Sequence, residues 1–232
     1  MVIGNGLVAK AFSKYKNNDE CIIFASGVSN SKETNSKEFL REKEILVECL
    51  KSCDSGLFVY FSTCSINNVQ NNMSPYISHK MEMEDIIKEK SRNYFIFRLP
   101  QLIGKTENKN TLLNYLYLSI INDVRFDLWD GTYRNLIDIE DVFSICDKFI
   151  RDVSQYKNSV KNIALRNNYG IKEIVEILEL VSKKKAHYNI IHKEDNHKIE
   201  IGEDVAIKLK EINLYDNDIQ YLKTVIEKYY KN

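Results

Sequence analysis

Short apolar segments alternate with longer segments of helical periodicity along the first hundred residues. The apolar segments predict strands, and the segments that repeat apolar residues every three to four positions predict helices. This alternation is typical of crossover units in a mostly parallel sheet. The strands are apolar throughout, as expected where helices cover both faces of a sheet. The predicted strands are 1–3, 21–24, 57–61 and 94–97, and the predicted helices are 7–16, 37–51 and 78–90.

The pattern loosens after residue 104. Helical periodicity returns at 111–121, after Asp138, at 171–183 and at 218–229, with a strand at 161–164 and a polar stretch at 127–135. Little Gly or Pro marks a linker. We therefore predict one interleaved α/β unit, in which residues 1–103 form a nucleotide-cofactor lobe. Residues 104–232 form mainly a smaller substrate lobe, with some segments that return to the sheet.

Charge and apolar content exclude several classes of protein. Lys plus Arg equals Asp plus Glu at 33 each, so no overall field favours nucleic acid or an anionic membrane. The longest apolar runs are far shorter than the roughly 20 residues of a bilayer span. The chain passes from Met1 directly into a predicted strand, and we expect no export signal. Five cysteines without paired metal spacing favour a reduced, cytoplasmic protein that binds no metal.

A glycine motif lies between the first predicted strand and the first predicted helix. It reads Gly4-Asn-Gly6-Leu-Val-Ala9, and glycines at this spacing let a pyrophosphate approach the start of a helix because no side chain intervenes. The alternative is an ordinary glycine turn. An acidic residue about twenty positions later would favour a dinucleotide, but the second strand ends in Phe24-Ala-Ser-Gly27.

Tyr76 and Lys80 begin the third predicted helix at positions i and i+4. This spacing places the phenol and the ammonium on one helical face. There Lys80 can stabilise a Tyr76 phenolate, which lowers a pKa of about 10 toward the range that acid–base catalysis requires. The alternative is chance, since the chain contains 14 tyrosines and many lysines.

A cluster of hydroxyls follows the third predicted strand, in the run Ser62-Thr63-Cys64-Ser65. Hydroxyls at the carboxyl end of a parallel strand can hydrogen-bond a substrate carbonyl. Their alternative role is to cap the turn that follows.

In this order the motifs resemble the extended short-chain dehydrogenase/reductase family, which contains NAD-dependent sugar-nucleotide epimerases, dehydratases and ketoreductases. The resemblance implies a Rossmann-type sheet and covers nearly the whole chain. It is carried by Gly4-x-Gly6-x-x-Ala9, Ile22-Ile-Phe-Ala-Ser-Gly27, Phe61-Ser-Thr63, Tyr76-x-x-x-Lys80, Phe97-Arg98-Leu-Pro-Gln-Leu-Ile-Gly104, Arg134-Asn-Leu-Ile-Asp138-Ile-Glu-Asp141-Val142 and Asn162-Ile-Ala164.

The resemblance implies a role for each candidate residue. Tyr76 is the proton donor or acceptor, Lys80 modifies its pKa and binds the cofactor ribose, and Thr63 or Ser62 orients the sugar carbonyl. Asp138 and Asp141 are expected to cap the helix that follows. The cofactor-binding residues are Gly4, Asn5, Gly6, Leu7, Val8, Ala25, Ser26, Gly27, Lys80 and Leu99. The substrate-binding residues are Cys64, Ser65, Asn110 and Arg134, the last for a phosphate.

Two departures from the family affect the choice of reaction. Two strands that usually precede the small-residue strand are missing, so the edge that binds adenosine is shortened or absent. No Asp-Glu pair follows Thr63, which disfavours dehydration, whereas Cys64 leaves a bifunctional 3,5-epimerase/reductase open.

We therefore expect reduction of a keto-sugar nucleotide for surface-polysaccharide precursors. NAD or NADP is the cofactor, with NADPH favoured for a reductase. The alternatives are epimerisation, at C4 or by the bifunctional route, and a non-catalytic protein that binds sugar nucleotide or cofactor. A homodimer is one option for the assembly.

Overall fold

The computed structural model describes residues 1–53, 56–68, 73–195, 198–216 and 218–231. The chain divides into two compact units, and each is interrupted once in sequence. The first contains Met1–Leu99 and Ile139–Ile163, and the second contains Pro100–Asp138 and Ala164–Asn232.

Strands and helices alternate over most of the described chain. The strands are β1 (Val2–Ile3), β2 (Cys21–Phe24), β3 (Leu57–Thr63), β4 (Tyr94–Leu99), β5 (Gln101–Ile103), β6 (Phe126–Arg134), β7 (Leu136–Asp138), β8 (Ser159–Asn162), β9 (Tyr169–Gly170) and β10 (Tyr188–Asp195). The α-helices are α1 (Leu7–Ala11), α2 (Ser36–Lys51), α3 (Pro75–Lys90), α4 (Leu112–Ile121), α5 (Ile139–Arg151), α6 (Val153–Tyr156), α7 (Ile171–Ser182), α8 (Glu203–Glu211) and α9 (Ile219–Tyr230). Short 3₁₀ helices occur at Ser13–Tyr15 and Cys64–Asn68.

The first unit is built on a five-stranded sheet in the order β1-β2-β3-β4-β8. Every neighbouring pair is parallel. All residues of β2 and β3 are buried, because helices cover both faces of the sheet. This confirms the predicted α/β class with a mostly parallel sheet.

Each face of this sheet packs against its own layer of side chains, since residues of a strand point alternately to opposite faces. On one face Phe58 and Tyr60 of β3 belong to a buried cluster with Leu46 of α2 and Met83 of α3. On the other face Phe61 contacts the ring of Phe12 at a centroid distance of 4.9 Å, within a layer of aromatic rings that reaches α5. The further members of that layer are Phe97, Phe143 and Phe149.

The start of α3 is set by local sequence. Ser74 is the N-cap, and its hydroxyl accepts a hydrogen bond from the Ile77 backbone N–H at 3.2 Å. Pro75 occupies the first helical turn, where its missing N–H costs nothing. The helix thus begins three residues earlier than predicted, and Tyr76 lies in its first turn.

The second unit contains a three-stranded sheet in the order β10-β6-β9 and a β5–β7 pair. Strand β6 corrects the expected polar stretch at 127–135. Its side chains alternate, with Phe126, Leu128 and Thr132 buried while the intervening positions are exposed or partly exposed. The segment contains Asp127, Asp130, Thr132 and Arg134 and therefore resembles a polar stretch, although its buried positions have the period of a half-buried strand. Strand β10 and helix α8 were not predicted either.

Among the described residues, no helix is both long enough and apolar enough to cross a membrane.

Candidate functional site

The candidate site lies at the carboxyl edge of the parallel sheet of the first unit. Strands β1, β2, β3 and β4 run in the same direction, so the residues that follow them meet at one edge. The distance between two of these ends is short: a Cβ atom placed on Gly4 would lie 2.4 Å from the Ala25 carbonyl oxygen. The residues predicted to bind a cofactor after β1 and β2 are therefore neighbours.

Gly4 and Gly6 differ in what each contributes. Gly4 has a φ of +122°, which only glycine adopts without strain, and it lies against the backbone after β2. Gly6 is the N-cap of α1, and a Cβ placed on it would meet nothing within 4 Å. The first glycine is thus required by the turn, whereas the second leaves open space at the helix start. This open space fits the approach of a pyrophosphate.

Thr63 and Tyr76 meet at the end of β3. The Thr63 side chain hydrogen-bonds the Tyr76 phenol, and both residues are buried. Burial raises the pKa of Tyr76 to about 12, the Thr63 hydrogen bond opposes this rise, and the charge of Glu42 adds to it. Tyr76 is therefore a protonated phenol at neutral pH, with a hydroxyl partner beside it.

Lys80 lies one helical turn further along α3 and is 2 % exposed. Its Nζ donates to Glu42 Oε1 and to the Tyr60 hydroxyl, both at 3.0 Å, and lies 5.9 Å from the centre of the Tyr76 ring. Burial lowers the pKa of Lys80, and the Glu42 carboxylate opposes that effect. An ammonium has three donors, and within the described chain the third has no acceptor.

Ser62 does not occupy the place of Thr63. Its Oγ is buried and has no hydrogen-bond partner among the residues that the structure describes. It lies on the strand face that carries Tyr60, opposite to the face of Thr63. Of the two hydroxyls proposed to orient a carbonyl, Thr63 is the one that contacts Tyr76.

The residues after Thr63 have structural partners. Cys64 is 2 % exposed and its Sγ donates to the Arg98 carbonyl oxygen at 3.2 Å. Burial raises the pKa of the Cys64 thiol to about 12, with Arg98 opposing. The Ser65 N–H donates to Thr63 Oγ1 at 3.2 Å, which is a turn-capping contact. Leu99, a predicted cofactor residue, is buried and pairs in register with Thr63.

Ser26, after β2, is held by Arg41 of α2. One guanidinium nitrogen donates to the Ser26 Oγ and another to its carbonyl oxygen, each at 3.3 Å. Gly27 lies next to Lys80, because a Cβ on Gly27 would be 2.7 Å from the Lys80 Nζ. The glycine thus makes room for the ammonium at the strand end.

The predicted substrate residues Asn110 and Arg134 belong to the second unit. Arg134 forms an ion pair with Asp195 at 3.1 Å and donates to the Tyr133 carbonyl oxygen at 2.7 Å. The Asn110 N–H donates to Asn108 Oδ1 at 3.0 Å, and Asn110 is exposed.

Asp138, also of the second unit, is buried and accepts hydrogen bonds from Lys228 at 2.9 Å and from the Tyr229 hydroxyl at 2.8 Å. Both of these partners belong to α9, at the end of the chain.

Comparison with known families decides the membership of the chain. The model of the NAD dependent epimerase/dehydratase family matches residues 4–164. The chain belongs to this family. The match confirms the resemblance inferred from the motifs, and it spans both the glycine motif and the Tyr76/Lys80 pair. None of the curated proteins matches the sequence.

Solved structures of several enzymes in complex with nicotinamide cofactors share the fold of this family member. UDP-glucuronic acid 4-epimerase from Bacillus cereus, in complex with UDP-glucuronic acid and NAD, has 16% identity and a TM-score of 0.72 over 95% of this chain and 78% of its own. UDP-glucose 4-epimerase from Bifidobacterium longum, in complex with NAD+ and UDP, has 13% identity and a TM-score of 0.70 over 95% and 79%. RMD from Pseudomonas aeruginosa, complexed with NADPH, has 15% identity and a TM-score of 0.66 over 92% and 82%.

The motifs of this epimerase/dehydratase chain did not reveal Glu42, Tyr60 and His79. These three residues form a hydrogen-bonded cluster with Lys80. A signal for Glu42 was present in the sequence. Glu42 precedes Leu46, Cys49 and Leu50 by 4, 7 and 8 positions, a spacing that places it on the buried face of α2. A carboxylate at such a position needs partners, because an unpaired buried charge is costly.

Proposed function

We propose that the chain is an NAD(P)-dependent enzyme that acts on a sugar nucleotide, and that its reaction is reduction of a keto-sugar nucleotide. Family membership and the Thr63–Tyr76–Lys80 arrangement support this proposal. Sugar nucleotides and nicotinamide cofactors in the complexes of structural neighbours support the same class of substrate and cofactor.

The observation that carries the choice of reduction is the buried, protonated Tyr76. Reduction of a ketone needs a proton donor for the oxygen that becomes the hydroxyl. A phenol whose pKa burial has raised to about 12 keeps its proton throughout the neutral range. Thr63 beside it can hydrogen-bond the same carbonyl oxygen and so orient it.

Residues at the strand ends fit a nicotinamide dinucleotide. Gly4 and Gly6 would lie against its pyrophosphate, the small residues Ala25, Ser26 and Gly27 against the nicotinamide half, and the third donor of Lys80 would reach a ribose hydroxyl. When bound, the reduced nicotinamide supplies the hydride. Asn5, Leu7, Val8 and Leu99 complete the proposed cofactor site.

The residues proposed for the substrate are Arg134 and Asn110 of the second unit, and Cys64 and Ser65 of the first. A guanidinium suits the phosphates of a sugar nucleotide because its planar donors bind oxygen pairs. Arg134 is paired with Asp195 in this structure, so phosphate binding would require exchange of that partner.

Epimerisation is the second candidate, favoured by the 4-epimerases among the structural neighbours. Its first step removes a proton from a sugar hydroxyl, so Tyr76 would have to act first as a base. The raised pKa of Tyr76 disfavours that step.

A non-catalytic binding protein is the third candidate. The cytoplasm is the proposed location, which the five cysteines support because none of them forms a disulfide in the described chain.

NAD(P)H oxidation with a panel of keto-sugar nucleotides tests the proposal. Net oxidation by wild type, lost in Tyr76→Phe, is expected for a reductase. Interconversion of UDP-sugars by NMR without net change of cofactor would replace reduction by epimerisation. Cofactor binding without either reaction would leave only the binding role.

A further inference from the structure

Glu42 is a carboxylate in the core of the first unit, 0 % exposed, with four hydrogen-bonding partners. Its Oε2 accepts from the Val28 backbone N–H at 2.6 Å and lies 3.0 Å from His79 Nε2. Its Oε1 accepts from the Tyr60 hydroxyl at 2.6 Å and from the Lys80 Nζ at 3.0 Å. Since an ionised carboxylate only accepts, His79 must carry its proton on Nε2.

The cluster lies directly behind the candidate site. A Cβ placed on Gly27 would be 2.7 Å from the Lys80 Nζ and 3.0 Å from Glu42 Oε1. Lys80 is thus enclosed by the backbone after β2 on one side and by the carboxylate of α2 on another. His79 is fixed in turn, because its ring stacks on Phe39 with centroids 4.7 Å apart.

A need for stability alone does not account for a charge pair at this position. Apolar residues of similar volume often replace buried ion pairs at no cost in stability. Glu42 occupies the same buried face of α2 as Leu46, where an apolar residue would pack. What an apolar residue cannot provide is an acceptor that fixes the place and the charge of Lys80.

We propose that Glu42 is the positioning residue of Lys80, which it holds as a charged ammonium beneath Gly27. This inference rests on the proposed function, in which Lys80 binds the cofactor ribose and acts beside Tyr76. It adds a residue that contacts neither cofactor nor substrate and acts through Lys80.

The electrostatic surroundings agree with the geometry. Burial lowers the pKa of Lys80 and Glu42 opposes this, so loss of the carboxylate lowers it further. Glu42 itself stays ionised: burial would raise its pKa, but Lys80 and the hydrogen bonds from His79, Tyr60 and Val28 lower it to about 2. The charged and titratable groups around Lys80 are Glu42 and Arg41 of α2, Tyr60 of β3, and Tyr76, His79 and Glu84 of α3.

Glu42→Gln tests the proposal, because it removes the charge and nearly keeps the shape. Glu44→Gln, the same change at an exposed position of α2, is the matched control. The Lys80 titration is followed by NMR of lysine Cε–Hε groups in the full chain, with the signal assigned by its loss in Lys80→Arg. The Lys80 midpoint is expected to fall by about one pH unit or more in Glu42→Gln and to stay unchanged in the control. An unchanged midpoint in Glu42→Gln would overturn the proposal.

Binding of NADPH, followed by its fluorescence, gives the second readout. Above its lowered Lys80 midpoint, Glu42→Gln should bind NADPH about tenfold more weakly than wild type for each pH unit above that midpoint, until the wild-type midpoint is reached. Below the lowered midpoint the two affinities should converge. Equal affinities at every pH would contradict the role of Glu42. Absence of NADPH binding by wild type would instead contradict the proposed function, and the Lys80 titration would still decide the role of Glu42.

Glu42→Asp serves if Glu42→Gln does not fold. It keeps the negative charge, but the side chain is one methylene shorter, so the carboxylate lies further from Lys80. A lower Lys80 midpoint is expected, between those of wild type and of a chain without the carboxylate. A midpoint equal to that of wild type would show that the position of the carboxylate does not matter and would overturn the proposal.

Discussion

Arg98 and Glu84 form a two-point ion pair that joins β4 to α3. The Arg98 Nε and Nη2 donate to the two Glu84 carboxylate oxygens at 2.8 and 2.7 Å, and Nη1 donates to Asn67 Oδ1 at 2.9 Å. Glu84 is 1 % exposed. Helix α3 also carries Tyr76 and Lys80. The Arg98–Glu84 ion pair therefore helps to fix the position of both residues relative to the carboxyl end of the sheet.

Arg98→Ala should therefore destabilise the fold by about 3 kcal/mol, the lower end of the usual cost of breaking a buried ion pair, because Lys88 still lies 3.7 Å from the Glu84 carboxylate. Urea unfolding followed by circular dichroism measures the change. Arg92→Ala, at an exposed arginine that precedes β4, is the control and should change stability little. A loss below about 1 kcal/mol for Arg98→Ala would mean that the pair behaves as a surface contact.

Tyr76→Phe should reduce turnover by about 100- to 10,000-fold, the typical contribution of a general acid. The fold and the cofactor affinity should stay close to those of wild type, because only the hydroxyl is lost. Steady-state rates and NADPH titration measure the two effects separately. Tyr115→Phe, at a half-exposed tyrosine of α4, is the matched control. Turnover of Tyr76→Phe within a few-fold of wild type would remove Tyr76 from the mechanism.

Acid should weaken the fold in a way that Glu42 determines in part. The pKa of Glu42 is lowered from 4.5 to about 2, since Lys80 and three hydrogen bonds outweigh the effect of burial. Its ionised form thus stabilises the folded chain above pH 4.5, and this contribution is lost as the pH falls toward 2. Between pH 5 and about 3, the unfolding midpoint in urea should fall less steeply in Glu42→Gln than in Glu44→Gln. Equal slopes would contradict the assignment.

The sequence predicted β1 to β4 well because these strands are mostly apolar, whereas β8 is mostly polar. Strand β3, with all seven residues buried, cannot be mistaken for an amphipathic helix, and the short spacing to the helices that follow implies parallel crossovers. The same reasoning failed for β6, where only alternate positions are buried and Thr132 is one of them. The 3₁₀ turn Ser13–Tyr15 shortened the first predicted helix, and there the Tyr15 hydroxyl donates to the buried Asp147 of α5.

The candidate site shows the same division. Tyr76, Lys80 and Thr63 could be named from the sequence because their spacing and their place at a strand end carry the chemistry. Glu42 could not be linked to Lys80, since 38 residues separate them and only the packing of α2 against α3 brings them together. The expectation that Lys80 lowers the pKa of Tyr76 also depended on that packing. Glu42 neutralises the ammonium, and burial sets the pKa of Tyr76 instead.

Cys64→Ser should leave turnover within a few-fold of wild type. The thiol is buried, its Sγ donates to the Arg98 carbonyl, and burial raises its pKa to about 12, so a thiolate is not formed near neutral pH. Cys53, which is less buried, should react with a thiol reagent before Cys64 does. Solvent-deuterium incorporation at sugar C3 or C5, abolished by Cys64→Ser with hydride transfer preserved, would establish the bifunctional epimerase/reductase.

NADH and NADPH should bind with similar affinity. Rossmann sheets discriminate the two through a side chain at the end of a further strand, which lies beside β1 on the side away from β2 and meets the adenosine ribose or its phosphate. In the described part of this chain β1 is the edge of the sheet and pairs only with β2, so no strand carries such a side chain. Fluorescence titration should therefore give binding free energies within about 1 kcal/mol, or roughly fivefold in Kd. A preference for NADPH in catalysis would then follow from the supply of NADPH rather than from its affinity. A difference in Kd above about tenfold would contradict the prediction and show that residues outside the sheet edge recognise the ribose phosphate.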